Sequence, residues 1–384
     1  GVINMYVLMV VPSDFPNGDA GAVRDMAFAN IFKALGYEVF LIGRGKNKKE
    51  GVTNEIRFFS IYQPAQSSID HLKRFIYSKV AYMSLINQLN VQYGQPSVIY
   101  VNDVSHSVIK KLRKVANKNS IPMLHDSTEW YSPCEFARGK LDKQYILKDN
   151  LNRRIIKRPI KVIAISSYLV EHFQNRGIQT VRIPVIMDVE NTKISLNRDD
   201  KVKFIYAGSP ANKDYLKEIV CGVTLLSDTM QKKMELHILG VNEDQVKSLT
   251  KLQRLPVCVK TYGRVPREQV EDVMLKMDFS VLLRPEEERY AKAGFPTKSV
   301  EAMSHGVALL CNISSDLGMY LKDKENAVIV YGHDEQSFAY GIERALSLSR
   351  EQVDEIKLNA RQLAEKEFDY RNWIATVSGL IGEK

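Results

Sequence analysis

Short runs of apolar and β-branched residues alternate with longer stretches of helical periodicity along almost the whole sequence. The runs fall at 5–11, 38–43, 97–102, 121–125, 161–165 and 181–185 in the first half. In the second half they fall at 203–207, 235–239, 259–262, 279–284, 307–311 and 327–331. Between them the spacing predicts helices over 22–35, 106–116 and 167–176, then 214–225, 267–276, 298–305, 335–348 and 351–365. Strands without polar alternation are buried on both faces, and strands joined through helices run parallel with right-handed crossovers. Two such series predict an α/β chain of two doubly wound, Rossmann-like parallel-sheet domains. The polar stretch 190–200 separates them as a hinge, and 384 residues suffice for both cores. Sheets of this kind take ligands at the carboxyl ends of their strands, so two of them facing each other are expected to make an interdomain cleft.

Composition narrows the class. With 45% hydrophobic and 26% charged residues the chain is globular, neither disordered nor a disulfide scaffold. No run approaches the roughly 18–20 apolar residues of a membrane span; 5–11 is stopped by Pro12, Ser13 and Asp14 and lacks a basic flank. Cys134, Cys221, Cys258 and Cys311 show no C-x-x-C spacing, which predicts reduced thiols in a cytoplasmic setting and no zinc site. Residues 1–200 hold 28 Lys+Arg against 18 Asp+Glu, whereas the remainder is nearly balanced, so an anionic partner is expected for the first half. Within 137–161 nine basic residues, from Arg138 to Lys161, face only Asp142 and Asp149. Leu141, Leu147, Leu151, Ile155 and Ile156 recur there at near-helical spacing. One or two basic amphipathic helices follow, either a solvated face over a core stripe or a membrane-surface element.

Three segments carry chemistry. Gly18 and Gly21 lie between the first strand and its helix, where backbone N–H groups approach an anion at the positive end of the helix dipole. The pattern is G-x-x-G, and Gly43-Arg44-Gly45-Lys46 puts no acid in a ribose position after the second strand, so a nicotinamide role is not expected. In the second half, the strand at 203–207 ends in Gly208-Ser209, and Lys213 precedes a helix as a compact charge suited to phosphate. The most informative segment is Gly294-Phe295-Pro296-Thr297-Lys298-Ser299-Val300-Glu301-Ala302-Met303-Ser304-His305-Gly306. Pro and Thr at a helix start leave the first N–H groups free for an anion. One turn further in, Glu301 is placed to accept two hydroxyl hydrogen bonds from a ribose.

In order and spacing these segments resemble the retaining, GT-B-fold glycosyltransferases of group 1, also called family 4. The resemblance also rests on 122–129 (PMLHDSTE), Ile183-Pro184-Val185-Ile186-Met187-Asp188, Tyr262-Gly263-Arg264-Val265-Pro266 and Phe368-Asp369-Tyr370-Arg371-Asn372-Trp373. It implies an acceptor-binding domain 1–189, a hinge 190–200, a donor-binding domain 201–366 and a last segment 367–384 crossing back onto the first domain. It implies transfer of a sugar from a nucleotide-diphosphate donor, UDP as the best guess, to a hydroxyl of a glycan or lipid-linked saccharide in cell-surface polysaccharide synthesis. Glu301 matches the family's ribose-binding Glu. Phe295, Pro296, Thr297 and Lys298 match the segment cradling the diphosphate, Lys213 matches the Lys that neutralises it, and Gly18 and Gly21 match the loop that closes on the phosphates and the transferred sugar. Gly263, Arg264 and Val265 match the loop flanking the base. No metal or other cofactor is implied, and no nucleic-acid partner. Residues 138–161 would meet an anionic membrane, placing the enzyme in the cytoplasm, peripheral to the inner face.

Three departures bear on specificity and catalysis. Ala293 occupies the place of the first Glu of the family's E-x7-E, which contacts the donor sugar. Ser209 stands where the family often has Arg, and Arg284 is a candidate replacement. Thr128 stands where the family has its active-site His, leaving Asp126, Thr128 and Glu129 as catalytic candidates that stabilise the oxocarbenium-like centre or orient the acceptor. These departures keep alternatives open: a non-catalytic nucleotide-sugar-binding partner, or a GT-B epimerase or phosphorylase.

Overall fold

The computed structural model describes residues 5–16, 20–45, 49–62, 68–195, 197, 199–208 and 214–382. The chain divides into two compact units: Gly1–Tyr131 with Lys140–Asp188 and Asp369–Lys384, and Ser132–Gly139 with Val189–Phe368.

In the first unit, β1 (Tyr6–Val10), α1 (Ala20–Ala34), β2 (Glu38–Gly45), β3 (Lys49–Thr53), β4 (Ile56–Tyr62) and α2 (Ser68–Tyr93) come first. They are followed by β5 (Val98–Val101), α3 (His106–Lys118), β6 (Met123–Ser127), α4 (Lys143–Asn150), β7 (Lys161–Ala164), α5 (Ser167–Asn175) and β8 (Thr180–Arg182). The sheet order is β3-β4-β2-β1-β5-β6-β7-β8, parallel except for β3, which pairs antiparallel with β4 at the edge. Residues 46–96 thus add two strands and a long helix that the apolar-run pattern does not predict. The helix Ile374–Ile381 packs Val377, Leu380 and Ile381 into this unit's core, and Tyr370 N–H donates to Met187 O at 3.1 Å.

The expected amphipathic region is a 3-10 turn (Gly139–Leu141), α4 and a π-helical turn, Leu151–Ile155. Leu151, Ile155 and Ile156 are core, but Leu141 is 80% exposed. The π turn shifts carbonyls out of the helical ladder, and basic side chains collect them. His172 lies 2.9 Å from Asn152 O, Arg176 donates to Asn152 O and Ile156 O, and Arg113 of α3 donates to Ile155 O at 3.0 Å. Cations at a helix's carboxyl end are favoured by its dipole. This packing lays α3 beside 150–157, and Lys110, Lys111, Lys114, Lys118, Arg153, Arg154 and Lys157 are all exposed. Residues 104–125 and 150–170 contain no Asp or Glu. The basic face is therefore broader than its stretch of sequence.

The second unit runs β9 (Val202–Ala207), α6 (Leu216–Thr224), α7 (Asp228–Lys232), β10 (Met234–Leu239), α8 (Glu243–Thr250), β11 (Val259–Gly263) and α9 (Arg267–Met274). It continues with β12 (Phe279–Leu282), α10 (Arg289–Ala293), α11 (Thr297–Ser304), β13 (Ala308–Cys311), β14 (Ala327–Ile329), α12 (Glu335–Leu346) and α13 (Arg350–Glu367). Its all-parallel sheet has the order β11-β10-β9-β12-β13-β14, so the chain reverses direction across the sheet between β9 and β12. Residues read as a hinge are tied to this unit. Asn197 Nδ2 donates to the buried Asp278 at 2.7 Å, and Ser195 Oγ donates to Met277 O at 2.8 Å. Asp278 also receives Arg350 at 2.8 Å and Lys357 at 3.2 Å. Truncating it leaves the buried Lys357 without its counter-charge. Asp278→Ala is expected to cost about 3–5 kcal/mol of stability, read by urea denaturation.

A second stability prediction comes from His125. It is fully buried on β6, with neither ring nitrogen hydrogen-bonded among the described residues. Burial and then the Lys148 ammonium push its pKa down to about 3, against the opposing pull of Asp126. The unfolded chain takes up this proton near pH 6.5 and the folded chain does not, so stability is lost as pH falls below 6.5. By pH 4.5 the loss from this group reaches roughly 2–3 kcal/mol. His125→Gln is expected to flatten that part of the stability–pH curve.

Candidate active site

The reversal between β9 and β12 sets where a ligand fits in the second unit, because the connections on its two sides leave in opposite directions at the carboxyl ends. Gly208 follows β9, Leu283 and Arg284 follow β12, and Tyr215 N–H joins the two by donating to Leu283 O at 3.0 Å. Behind this edge the backbone is tightly packed. Gly240, at φ +103°, lies so close to Gly208 that an added Cβ would stand 2.0 Å from the Gly208 carbonyl oxygen. Gly263, at φ +66°, closes the neighbouring turn, receiving Gly240 N–H at 2.7 Å and donating to Val241 O at 3.0 Å.

α11 is a crossover helix between β12 and β13, so its amino end lies at this same edge. Pro296 precedes it as the N-cap residue and makes no side-chain capping hydrogen bond. The helices after β9 and β11 likewise start without a side-chain cap, at Tyr215 and Pro266. By contrast α8, α12 and α13 are capped by Asn242, Asp334 and Ser349. Uncapped N–H groups at the positive end of a helix make an anion site. The other end of α11 is pinned: Arg361 of α13 donates to Ser304 O and to Thr192 O.

Phe295 is buried against Tyr320 and Phe368, so its backbone is what it offers; Pro296 is buried, Thr297 half-buried and Lys298 exposed. Glu301 is 17% exposed and held by Lys298 Nζ at 2.8 Å, with Arg267 of α9 at 4.0 Å. Arg267 was not singled out from sequence, although Pro266-Arg267 opening a helix was a visible signal. Gly263, Arg264 and Val265 form the turn from β11 into α9, with Arg264 exposed. Arg284 Nε donates to Asp214 Oδ1 at 2.9 Å, and the buried Tyr206 hydroxyl donates to Asp214 Oδ2 at 2.9 Å. Its charge is therefore balanced at the edge of the site, and burial next to this carboxylate pushes the Tyr206 pKa far up. Ala293 is completely buried, so no side chain reaches a ligand from that position. Glu286, Glu287 and Glu288, an acidic run after β12, are each partnered: Glu286 by Asn312, Glu287 by Lys292 and Glu288 by Cys134. Ser209, Lys213 and Gly18 lie outside the described residues.

In the first unit, Gly21 is the second residue of α1. Thr128 and Glu129 follow β6 and are half-buried, and Glu129 Oε1 accepts from the Tyr131 hydroxyl at 2.6 Å. Asp126 is different. It is fully buried and takes Arg24 through both oxygens, at 2.7 and 2.8 Å, plus the Tyr100 hydroxyl at 2.8 Å. Arg24 continues to Ile183 O and Pro184 O. This arrangement, with Asp126 fully buried, commits it to holding Arg24, and through it α1. Among the described residues no cluster of three or more His, Cys, Asp or Glu is arranged to hold a metal.

Residues 188–363 match the family described as glycosyl transferases group 1, nearly the span of the second unit. Among solved structures, sucrose-phosphate synthase from Thermosynechococcus elongatus aligns at a TM-score of 0.76 and 13% identity, over 98% of both chains. WaaG, a glycosyltransferase of lipopolysaccharide biosynthesis, aligns at 0.69 and 14% identity, over 98% of this chain and 100% of the other. Anabaena HepE in complex with UDP and glucose aligns at 0.66 and 15% identity, over 98% of both. These likenesses show the GT-B fold. No curated protein matches the sequence.

The close approach at Gly240 yields a test of this edge. Gly240→Ala meets both a left-handed φ and the Gly208 carbonyl, and is expected to cost at least about 2 kcal/mol in a thermal or urea melt.

Proposed function

We propose that this chain, whose residues 188–363 match the glycosyl transferases group 1 family, moves a hexose from a nucleotide-diphosphate sugar to a hydroxyl with retention of configuration. The observation that carries the reading is the amino end of α11 at the carboxyl edge of the sheet, opened by Pro296 without a side-chain cap of its own, with Glu301 one turn behind it. The diphosphate sits on the Thr297 and Lys298 N–H groups, aided by the Lys298 and Lys213 ammonium groups. Glu301 accepts the two ribose hydroxyls, and the turn 263–265 flanks the base. The leaving group is a phosphate, so the protein's main task is to stabilise the charge that builds on it. Preorganised N–H dipoles and fixed cations do this without reorganising in the transition state, and no resident metal is required. The leaving diphosphate oxygen takes the acceptor proton on the same face as attack. Thr128 and Glu129 orient the acceptor, while Asp126 positions α1 through Arg24. UDP is the favoured nucleotide because HepE, of the same fold, is described in complex with UDP and with UDP-glucose.

The acceptor is a glycan or lipid-linked saccharide of cell-surface polysaccharide synthesis. Two features of the first unit support a cytoplasmic enzyme peripheral to an anionic membrane: the basic face of α3 and 150–157, and the exposed Leu141 and Ile146 beside Lys140 and Lys143. Each basic residue near such a surface contributes about 1 kcal/mol.

The direct test is a product assay with UDP-, GDP- and other nucleotide hexoses and a lipid-linked saccharide acceptor, with anomeric configuration read by NMR. Release of nucleotide only when acceptor is present supports transfer; tight binding with no product from any donor overturns it in favour of a non-catalytic role. Glu301→Ala removes two charge-assisted hydrogen bonds and is expected to weaken UDP binding about 10- to 100-fold by calorimetry. Cosedimentation is expected to rise with the fraction of anionic lipid in vesicles, and to fall for Lys110→Gln with Lys114→Gln.

A further inference from the structure

At the opposite, amino edge of the first unit's sheet lies a cavity of about 590 Å³, lined by Arg158, Pro159, Ile160, Lys161, Gln174, Gly177, Ile178 and Gln179. It forms where the loops entering β7 and β8 run side by side, joined by Val162 N–H donating to Gln179 O at 2.8 Å. α5 ends at Gly177 in the left-handed region, at φ +68°, and Arg158 lies across that turn. Its Nε donates to Gly177 O at 2.7 Å, and a Cβ at 177 would stand 3.1 Å from the guanidinium. Lys161 Nζ donates to Leu380 O at 2.5 Å.

Both cations are thus anchored by neutral carbonyls, and among the described residues no carboxylate lines the cavity. Among those residues their positive charge is fixed in place but not neutralised. Ile160 and Ile178 are buried beneath them and supply an apolar floor. Gln174 and Gln179 are exposed at the rim, each offering amide donors and an acceptor. The volume is that of a small-molecule site and exceeds what a lone phosphate fills. We propose that this cavity binds a sugar carrying a phosphate or carboxylate, with the anion on Arg158 and Lys161 and the ring hydroxyls on Gln174 and Gln179. The site is separate from the α11 edge and its existence does not depend on the transferase reading.

The experiment is calorimetry on the full chain, with UDP in excess, titrating glucose 6-phosphate, glucuronate, glucose and inorganic phosphate in turn. Glucose 6-phosphate and glucuronate are expected to bind saturably at one site. Glucose and inorganic phosphate are each expected to bind about tenfold or more weaker, the loss of one charge-assisted contact set. Arg158→Gln with Lys161→Gln, checked for an unchanged melt, is expected to abolish binding. Gln179→Ala provides a milder variant, weakening the two sugar anions but not phosphate. Glu301→Ala is expected to leave all four titrations unchanged. Three results would each overturn the proposal: no saturation, equal affinity for phosphate and glucose 6-phosphate, or binding that persists when both cations are gone.

Discussion

The second unit depends on how α11 is fixed. Its carboxyl end is gripped by Arg361, whose guanidinium donates to the carbonyls of Ser304 and Thr192, while its N-cap residue, Pro296, provides no side-chain cap. Held this way, the helix keeps the N–H groups at its start aimed at one place. Buried neighbours enforce the same position: Val300, Ala302 and Met303 are core, which leaves Glu301 on the accessible side. The sheet then brings the turns after β9, β11 and β12 to that edge.

The first unit uses its buried polar groups differently. Arg24 and Asp126 form a buried ion pair, completed by Tyr100 and two backbone carbonyls. Such a pair contributes little net stability against an apolar equivalent but fixes geometry, because either partner alone would be a buried unpaired charge. Here the geometry fixed is that of α1, whose first turn carries Gly21.

Much of the fold was legible because buried parallel strands read as unbroken apolar runs, as at 98–101 and 308–311. The region 46–96 was not. The edge strand β3, KEGVT, is mostly polar, β4 mixes charged and aromatic residues, and α2 lacks a clean apolar stripe. At the site, the Pro-Thr-Lys start of α11 and its internal Glu were visible as local chemistry. The commitment of Asp126 was not, since its partner Arg24 is 102 residues away and only strand alternation turns the carboxylate toward α1. The same holds for the pairing of Arg284 with Asp214, 70 residues apart, and for α3's share of the basic face. Local pattern reveals which groups a chain carries; the partners that neutralise them come from topology.

A crystal structure with UDP bound tests the central claim most directly. The account predicts diphosphate oxygens within hydrogen-bond distance of the Thr297 and Lys298 backbone N–H groups and ribose hydroxyls on Glu301. A nucleotide seated elsewhere on the second unit, with its phosphates turned away from α11, would contradict it.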